Sequence, residues 1–410
     1  MSSFEKRIDP ADAGLDGDRL SRLGEHFDRY LERGRLPGYS LLVSRGGEIA
    51  HVEMAGMRDL ERGLPVEAHT VYRIYSMTKP ITSVAAMMLY EEGRFDLADP
   101  VADYLPEFAD LRVFAGGSSM KPVLRPASEP MRIWHLLSHT AGLTYGFLYN
   151  HPVDAIYRAR GFEWGTPEGA DLAACCEIWA GLPLLFEPGT SWNYSHATDV
   201  VGRLVEVLSG QSLDAFFAER ILGPLQMTET GFYAREDQLD RLATLYLPDA
   251  TSGKAVASRR MSAAAERPPR VLSGGGGLVS TMGDYYRFTR FLLNGGELDG
   301  IRLLGPRTLE YMTRNHLPGG RDMASFGHSL SGETEEGVGF GLGFSVVTDA
   351  AALKVPASEG EFAWGGAAST VFWVDPAEEL IVLFMTQLLP STTYPIRREL
   401  RRLVYQSIVD

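Results

Sequence analysis

Leu20, Leu23, Phe27 and Leu31 recur at helical spacing among charged neighbours and predict a helix over residues 16–33, with Gly34 at its stop. The pattern then changes to strand-like runs at 39–44 and 48–55, joined by Arg45-Gly46-Gly47, a hairpin signal. A second helix is predicted from Ser76 to about residue 92, ending at Gly93. Met77, Ile81, Val84 and Met88 form its apolar stripe, so it reads as amphipathic. From about 100 to 270 the texture is helices between Gly- and Pro-punctuated loops, with helices predicted at 133–138, 171–180, 197–209 and 213–221. Strand patterns return at 341–348, 370–374 and 380–386, before a last helix over 395–408. Two strands alone are marginal, so the early and late strand regions are expected to pair. The predicted organisation is a discontinuous sheet-and-helix unit, residues 1–98 and 271–410, interrupted by a mostly helical unit over 99–270.

Composition narrows the function classes. The chain has 410 residues, 45% hydrophobic and 22% charged, as in ordinary soluble globular proteins. A net charge of −14 with no basic stripe argues against nucleic acid or an anionic membrane as partner. The longest apolar run, Leu380 to Met385, is too short to cross a bilayer, and the first ten residues lack the apolar core of a secretory signal. A cytoplasmic location is therefore expected. Cys175 and Cys176 are adjacent and form no disulfide framework.

Candidate chemistry begins at Ser76-Met77-Thr78-Lys79. Residues i and i+3 share a helix face, so the Lys79 amine can stand beside the Ser76 hydroxyl and take its proton. Ser-x-x-Lys also occurs at Ser3/Lys6 and Ser118/Lys121, but the first lies near the terminus and the second in a loop composition. Lysine is scarce. Five of the 39 basic residues are lysines (Lys6, Lys79, Lys121, Lys254 and Lys354), which leaves 34 arginines. Arginine cannot act as a base, whereas a buried lysine can, so a lysine opening an apolar helix calls for a chemical reason.

Two further segments supply partners. Tyr194-Ser195-His196 follows a turn-rich loop and precedes a helix, so Tyr194 can point its hydroxyl into a cleft as a second proton-handling group. Trp364-Gly365-Gly366-Ala367 leads into the strand at 370–374. Paired glycines at a strand edge allow close approach, and an edge N–H can face a developing oxyanion. Gly-x-Ser-x-Gly, His-Glu-x-x-His and P-loop motifs are absent from the sequence, and no cofactor or metal is expected. Gly337-x-Gly339-x-Gly341-x-Gly343 lacks the third glycine offset of a dinucleotide site and reads as a glycine-rich approach to a strand.

The order of the three segments resembles the serine β-lactamase and penicillin-binding-protein superfamily, and within it the class C β-lactamase-like family VIII carboxylesterases and their acyltransferase relatives. Ile133-Trp134-His135-Leu136-Leu137-Ser138-His139-Thr140-Ala141-Gly142-Leu143 resembles that family's Leu-Leu-x-His-Thr-(Ser/Ala)-Gly-Leu segment. The stretch from Ser273 to Thr281 resembles its glycine-rich segment. The likeness runs from about 38 to 375.

It implies an α+β fold, an antiparallel sheet flanked by helices with a mostly helical insertion and the site in the cleft between them. It also implies that Ser76 is the acyl-accepting nucleophile and Lys79 its base or base partner, with Tyr194 sharing the proton. The backbone N–H groups of Ser76 and Ala367 would form the oxyanion hole, and Trp364, Gly365, Gly366 and His196 would contact substrate. For His135 and His139 a structural use is expected.

Tyr194-Ser195-His196 stands where class C lactamases have Tyr-x-Asn, and Trp364-Gly365-Gly366 where they have Lys-Thr-Gly. Loss of that lysine removes a positive charge, and tryptophan adds apolar surface, so neutral, hydrophobic esters are the expected small-molecule substrates. The expected activity is ester hydrolysis, with transfer of the acyl group to an alcohol as the alternative. Lactamase or D-peptidase activity and a non-catalytic role rank behind these. Oligomeric state is left open.

Overall fold

The structure, a computed structural model, describes residues 8–327 and 336–410. An eight-stranded antiparallel sheet lies at its centre. In chain order the strands are β1 (Gly38–Arg45), β2 (Glu48–Asp59), β3 (Leu64–Pro65), β4 (Val338–Phe340), β5 (Ser345–Val347), β6 (Phe362–Gly365), β7 (Val371–Asp375) and β8 (Leu380–Met385). Their spatial order is β4-β5-β6-β7-β8-β1-β2-β3. The early and late regions join where β1 pairs β8, with Ser40 opposite Met385 and Arg45 opposite Leu380.

Both faces of the sheet are covered, which explains the unbroken apolar run in β8. Side chains alternate across a strand. Leu380, Val382 and Phe384 therefore pack with Phe27 of α1 (Gly17–Glu32) and with Leu400 and Val404 of the C-terminal helix. Ile381, Leu383 and Met385 face the opposite core. There they meet α2 (Thr78–Glu91) and the helix Met282–Leu293, in the same core as α3 (Ala197–Ser209). With α4 (Met282–Leu293) and α5 (Ile396–Tyr405), these helices make three layers: α1 and α5, the sheet, then α2, α3 and α4.

Several boundaries differ from the sequence reading, each for a physical reason. Ser76 does not lie in α2. It sits in a 3₁₀ turn, Tyr75–Met77, and α2 begins at Thr78. That helix is not amphipathic: every residue from Thr78 to Leu89 is buried, because α2 runs through the core, packed against α3, and has no solvent face. The expected strand 341–348 is a hairpin of β4 and β5. A Cβ on Gly341 would stand 2.2 Å from the Met312 carbonyl oxygen, and Gly343 takes φ +100°, so the glycines form the bend. The helix expected at 213–221 is α-helical only over Leu213–Phe217 and continues as a π-turn over Ala218–Leu222.

β6 went unpredicted, since four residues ending in glycine carry little period-two signal. The insertion also contains a ribbon, Arg112–Gly117 with Pro122–Pro126. Ser118 and Lys121 form its exposed tip, which disposes of that Ser-x-x-Lys match. Ser3/Lys6 lies outside the described residues.

Candidate active site

A two-stranded ribbon away from the main sheet brings the site together. Val71–Arg73 pairs antiparallel with Val279–Thr281, placing the Ser76 turn beside the glycine segment 274–277. Tyr75 takes φ +44°, a left-handed conformation uncommon for a bulky residue, immediately before Ser76. On the far side β6 presses against the same turn. A Cβ on Gly366 would lie 2.4 Å from the Ile74 carbonyl oxygen, so only glycine permits that approach. β5 pairs with β6 no further than Ala363, which leaves Trp364–Gly366 as a free edge on that side. The expected edge thus exists inside the sheet, because its neighbour stops short.

Lys79 is 1% exposed and its ammonium has three acceptors. Nζ donates to Ser76 Oγ at 3.3 Å, to Tyr145 Oη at 3.1 Å and to the Gly275 carbonyl at 2.6 Å. Those match the three N–H groups of an ammonium. Tyr194 meets Lys79 differently. Its ring centroid lies 4.5 Å from Nζ, a cation–π contact, while its hydroxyl accepts from Trp364 Nε1 at 3.4 Å. The lysine is thus clamped between two tyrosines, one by its oxygen and one by its face. Burial, reinforced by the charges of Tyr194 and Asp199, pushes the Tyr145 hydroxyl well above its ordinary pKa, so it is a neutral group at pH 7. Tyr145 was missed in the sequence, for a lone tyrosine three residues past Gly142 carries no local pattern.

The segment around His139 supports Tyr194. The His139 carbonyl accepts from Asn193 N at 3.0 Å, and its Nδ1 is 3.2 Å from Ser195 Oγ. Asn193 Nδ2 donates to the Leu143 carbonyl and to Thr144 Oγ1, both at 3.1 Å. Burial first, then the positive charge of Lys79, hold His139 well below the ordinary histidine range, against the pull of Asp199. A neutral, buried His139 packed against the Tyr194 ring is a structural support. His135 likewise accepts the Arg132 N–H on Nδ1 at 3.0 Å.

Ser76, Tyr194, Trp364, Gly365, Gly366 and Ala367 all border one cavity of about 590 Å³, while Lys79 lies beneath it. Phe147, Trp164 and Trp192 add aromatic wall. His196 does not border this cavity. It sits behind Tyr145, 4.2 Å between ring centroids, and stacks on Trp179 at 4.5 Å, with Nδ1 3.0 Å from Asp199 Oδ2. Burial lowers its pKa, opposed by the hydrogen bond and charge of Asp199. The cavity wall also carries positive charge that the sequence reading had surrendered with the lysine. Arg397 and Arg398 of α5 border it, and Arg397 donates to the Gly366 carbonyl at 3.3 Å. Among the described residues no group of three or more His, Cys, Asp or Glu side chains is placed to hold a metal ion, and no helix is long and apolar enough to cross a membrane.

A serine hydroxyl at a buried lysine, at the mouth of an aromatic cavity beside a free strand edge, is serine-hydrolase chemistry on a β-lactamase-like fold. The chain belongs to the family described as "Beta-lactamase", which matches residues 23–406. It is 33% identical to Esterase EstB of Burkholderia gladioli, over 97% of this chain and 98% of that protein. It is 30% identical to a lovastatin esterase of Penicillium rubens, over 86% and 89%. Among solved structures, EstCE1, described as a hydrolase with promiscuous acyltransferase activity, superposes with a TM-score of 0.81 at 26% identity, covering 98% of this chain and all of that one. The family includes esterases and acyltransferases, and this protein is a serine hydrolase of that kind.

Proposed function

We propose that the protein is a carboxylesterase of the family VIII type that cleaves ester bonds through an acyl-enzyme on Ser76. The observation that carries this reading is the contact of Lys79 Nζ with Ser76 Oγ at 3.3 Å, with the lysine itself 1% exposed. Once it has lost a proton, Lys79, paired with Tyr194, takes the serine proton as Oγ attacks the ester carbonyl and returns it to the leaving alkoxide, while the neutral Tyr145 holds the lysine in place. The N–H groups of Ser76 and Ala367 stabilise the oxyanion, and Trp364 forms a wall for the substrate. Water then attacks the acyl carbonyl and releases the acid. The substrates are small esters with apolar groups, matched to the aromatic wall. On this reading the cleft lies between the unit 1–98 with 271–410 and the unit 99–270, and the buried free thiols of Cys175 and Cys176 suit the cytoplasm.

Treatment with an active-site-directed phosphonate followed by peptide mass spectrometry tests the assignment. An adduct on Ser76 with loss of turnover is expected, and an adduct elsewhere with Ser76 untouched overturns it. A second reading is favoured by the size of the cavity, which at about 590 Å³ has room for an alcohol beside the acyl group. The relatives include an acyltransferase of Penicillium decumbens, 29% identical over 85% of this chain. Turnover of short p-nitrophenyl esters with and without added alcohols separates the two: a rate of acid release unchanged by the alcohol, with no new ester formed, supports hydrolysis.

A further inference from the structure

Asp199, in the first turn of α3, is 3% exposed and reaches Lys79 through a single residue. Its Oδ1 accepts from Ser273 Oγ at 2.5 Å and from Gly275 N at 2.9 Å, and its Oδ2 from His196 Nδ1 at 3.0 Å. The carbonyl of that same Gly275 takes the shortest hydrogen bond made by Lys79, at 2.6 Å. Contact is so close that a Cβ on Gly275 would stand 2.7 Å from Asp199 Oδ2. His196 is held to this one polar partner. Its ring is enclosed by Tyr145, Tyr157, Phe162 and Trp179, and its Nε2 is buried with no hydrogen-bond partner among the described residues.

Charge and geometry act together here. The groups facing Lys79 are Ser76 from its own turn, His139 and Tyr145 from the segment beneath Tyr194, Tyr194 and His196 from the loop before α3, Asp199 from α3, and backbone from the glycine segment. Both histidines are neutral at pH 7, so Asp199 is the carboxylate opposite the ammonium. Burial pushes Asp199 up, but the hydrogen bond from His196, the charge of Lys79 and the Ser273 hydroxyl outweigh it and keep the carboxylate ionised.

We propose that Asp199 is a positioning residue that holds Lys79 through Gly275 and, by its charge, sets the pH at which the lysine–tyrosine pair becomes a base. This rests on the Ser76 reading. The direction of the effect does not depend on which member of the pair accepts the proton. Removing a nearby negative charge makes an ammonium easier to deprotonate, and makes a phenolate easier to form.

The test is the pH dependence of Ser76 labelling by a phosphonate, and of p-nitrophenyl ester hydrolysis, in the full chain carrying Asp199→Asn. The amide retains an acceptor for Ser273 and Gly275. Asp199→Ser removes the same charge and serves if the amide variant fails to fold. The acid limb of both profiles is expected to move about one unit to lower pH, the scale of a close charge partner. Ser273→Ala keeps the charge and weakens the clamp, so its limb should stay within about 0.3 units of wild type on the same scale. A folded Asp199 variant whose limb does not move, or a Ser273→Ala limb that moves equally, overturns the proposal. Wild-type protein that is never labelled on Ser76 overturns instead the reading on which it rests.

Discussion

Tyr145→Phe is the sharpest test of the site, because it removes one oxygen and leaves the ring where it is. That ring stacks on Phe147 at 4.7 Å and meets His196 edge-on at 4.2 Å, so the packing survives. What is lost is the acceptor 3.1 Å from Lys79 Nζ, one of three for a side chain with three donors. Hydrogen bonds to charged groups contribute about 1.5–3 kcal/mol. Carried into the transition state, that lowers kcat/KM roughly 10- to 150-fold. Tyr145 does not border the cavity, so KM should change little and the loss should fall on kcat. The unpaired N–H also disfavours the ammonium, which shifts the acid limb to lower pH by about 1–2 units. The assay is the pH–rate profile on a short p-nitrophenyl ester, with the folded state checked by thermal melting. A variant within twofold of wild type at every pH refutes the argument.

Ser76→Ala should abolish ester turnover in purified protein, and Lys79→Ala and Tyr194→Phe should each reduce it on the order of 10²–10⁴-fold through lost acid–base help; wild-type activity in the alanine variant at Ser76 would remove the basis of the assignment. Gly366→Ala places a Cβ 2.2 Å from Thr370 Oγ1 and 2.4 Å from the Ile74 carbonyl, so β6 must move away from the Ser76 turn. A loss of about 1–3 kcal/mol in stability together with a fall in kcat is expected, and an unchanged melt with full activity contradicts that geometry. Burial, helped by the charge of Arg132, pushes the His135 pKa down to about 4 from 6.5, so the folded protein keeps this ring neutral while the unfolded chain takes up a proton. Its contribution is complete above pH 6.5 and is lost as pH falls toward 4, by about 3 kcal/mol. His135→Gln keeps an acceptor for the Arg132 N–H without titrating, and its stability should fall less than wild type over that window in denaturant titrations.

Much of the fold was legible because its signals are local. The α1 stripe of Leu20, Leu23 and Phe27, the hairpin at Gly46-Gly47 and the apolar run of β8 each occupy one stretch of chain, and each appears within a few residues of its expected place. What failed locally failed for tertiary reasons. A stripe of four apolar positions in α2 predicted an exposed back, yet Thr82 and Ser83 on that back are buried. There Thr82 Oγ1 donates to the Gly274 carbonyl at 2.7 Å. β6 escaped notice because it ends in glycine, although Gly366, just after it, is what lets the chain approach Ile74.

By itself the sequence pointed to which groups could do chemistry. A scarce lysine three residues after a serine, a tyrosine on a turn-rich loop and a glycine pair beyond a tryptophan stood out in the right order. Tertiary structure decided which of them touch. It set Tyr145, 66 residues from Lys79, at its ammonium, and turned the face of Tyr194 toward it. It also drew His196 away from the cavity onto Asp199, and returned positive charge to the cavity through Arg397. Contacts across such separations leave no periodicity for a sequence to show, because each depends on the pairing of β1 with β8 and of the ribbon with the glycine segment. The hydrogen-bond partners of Lys79 are therefore set by the assembled core.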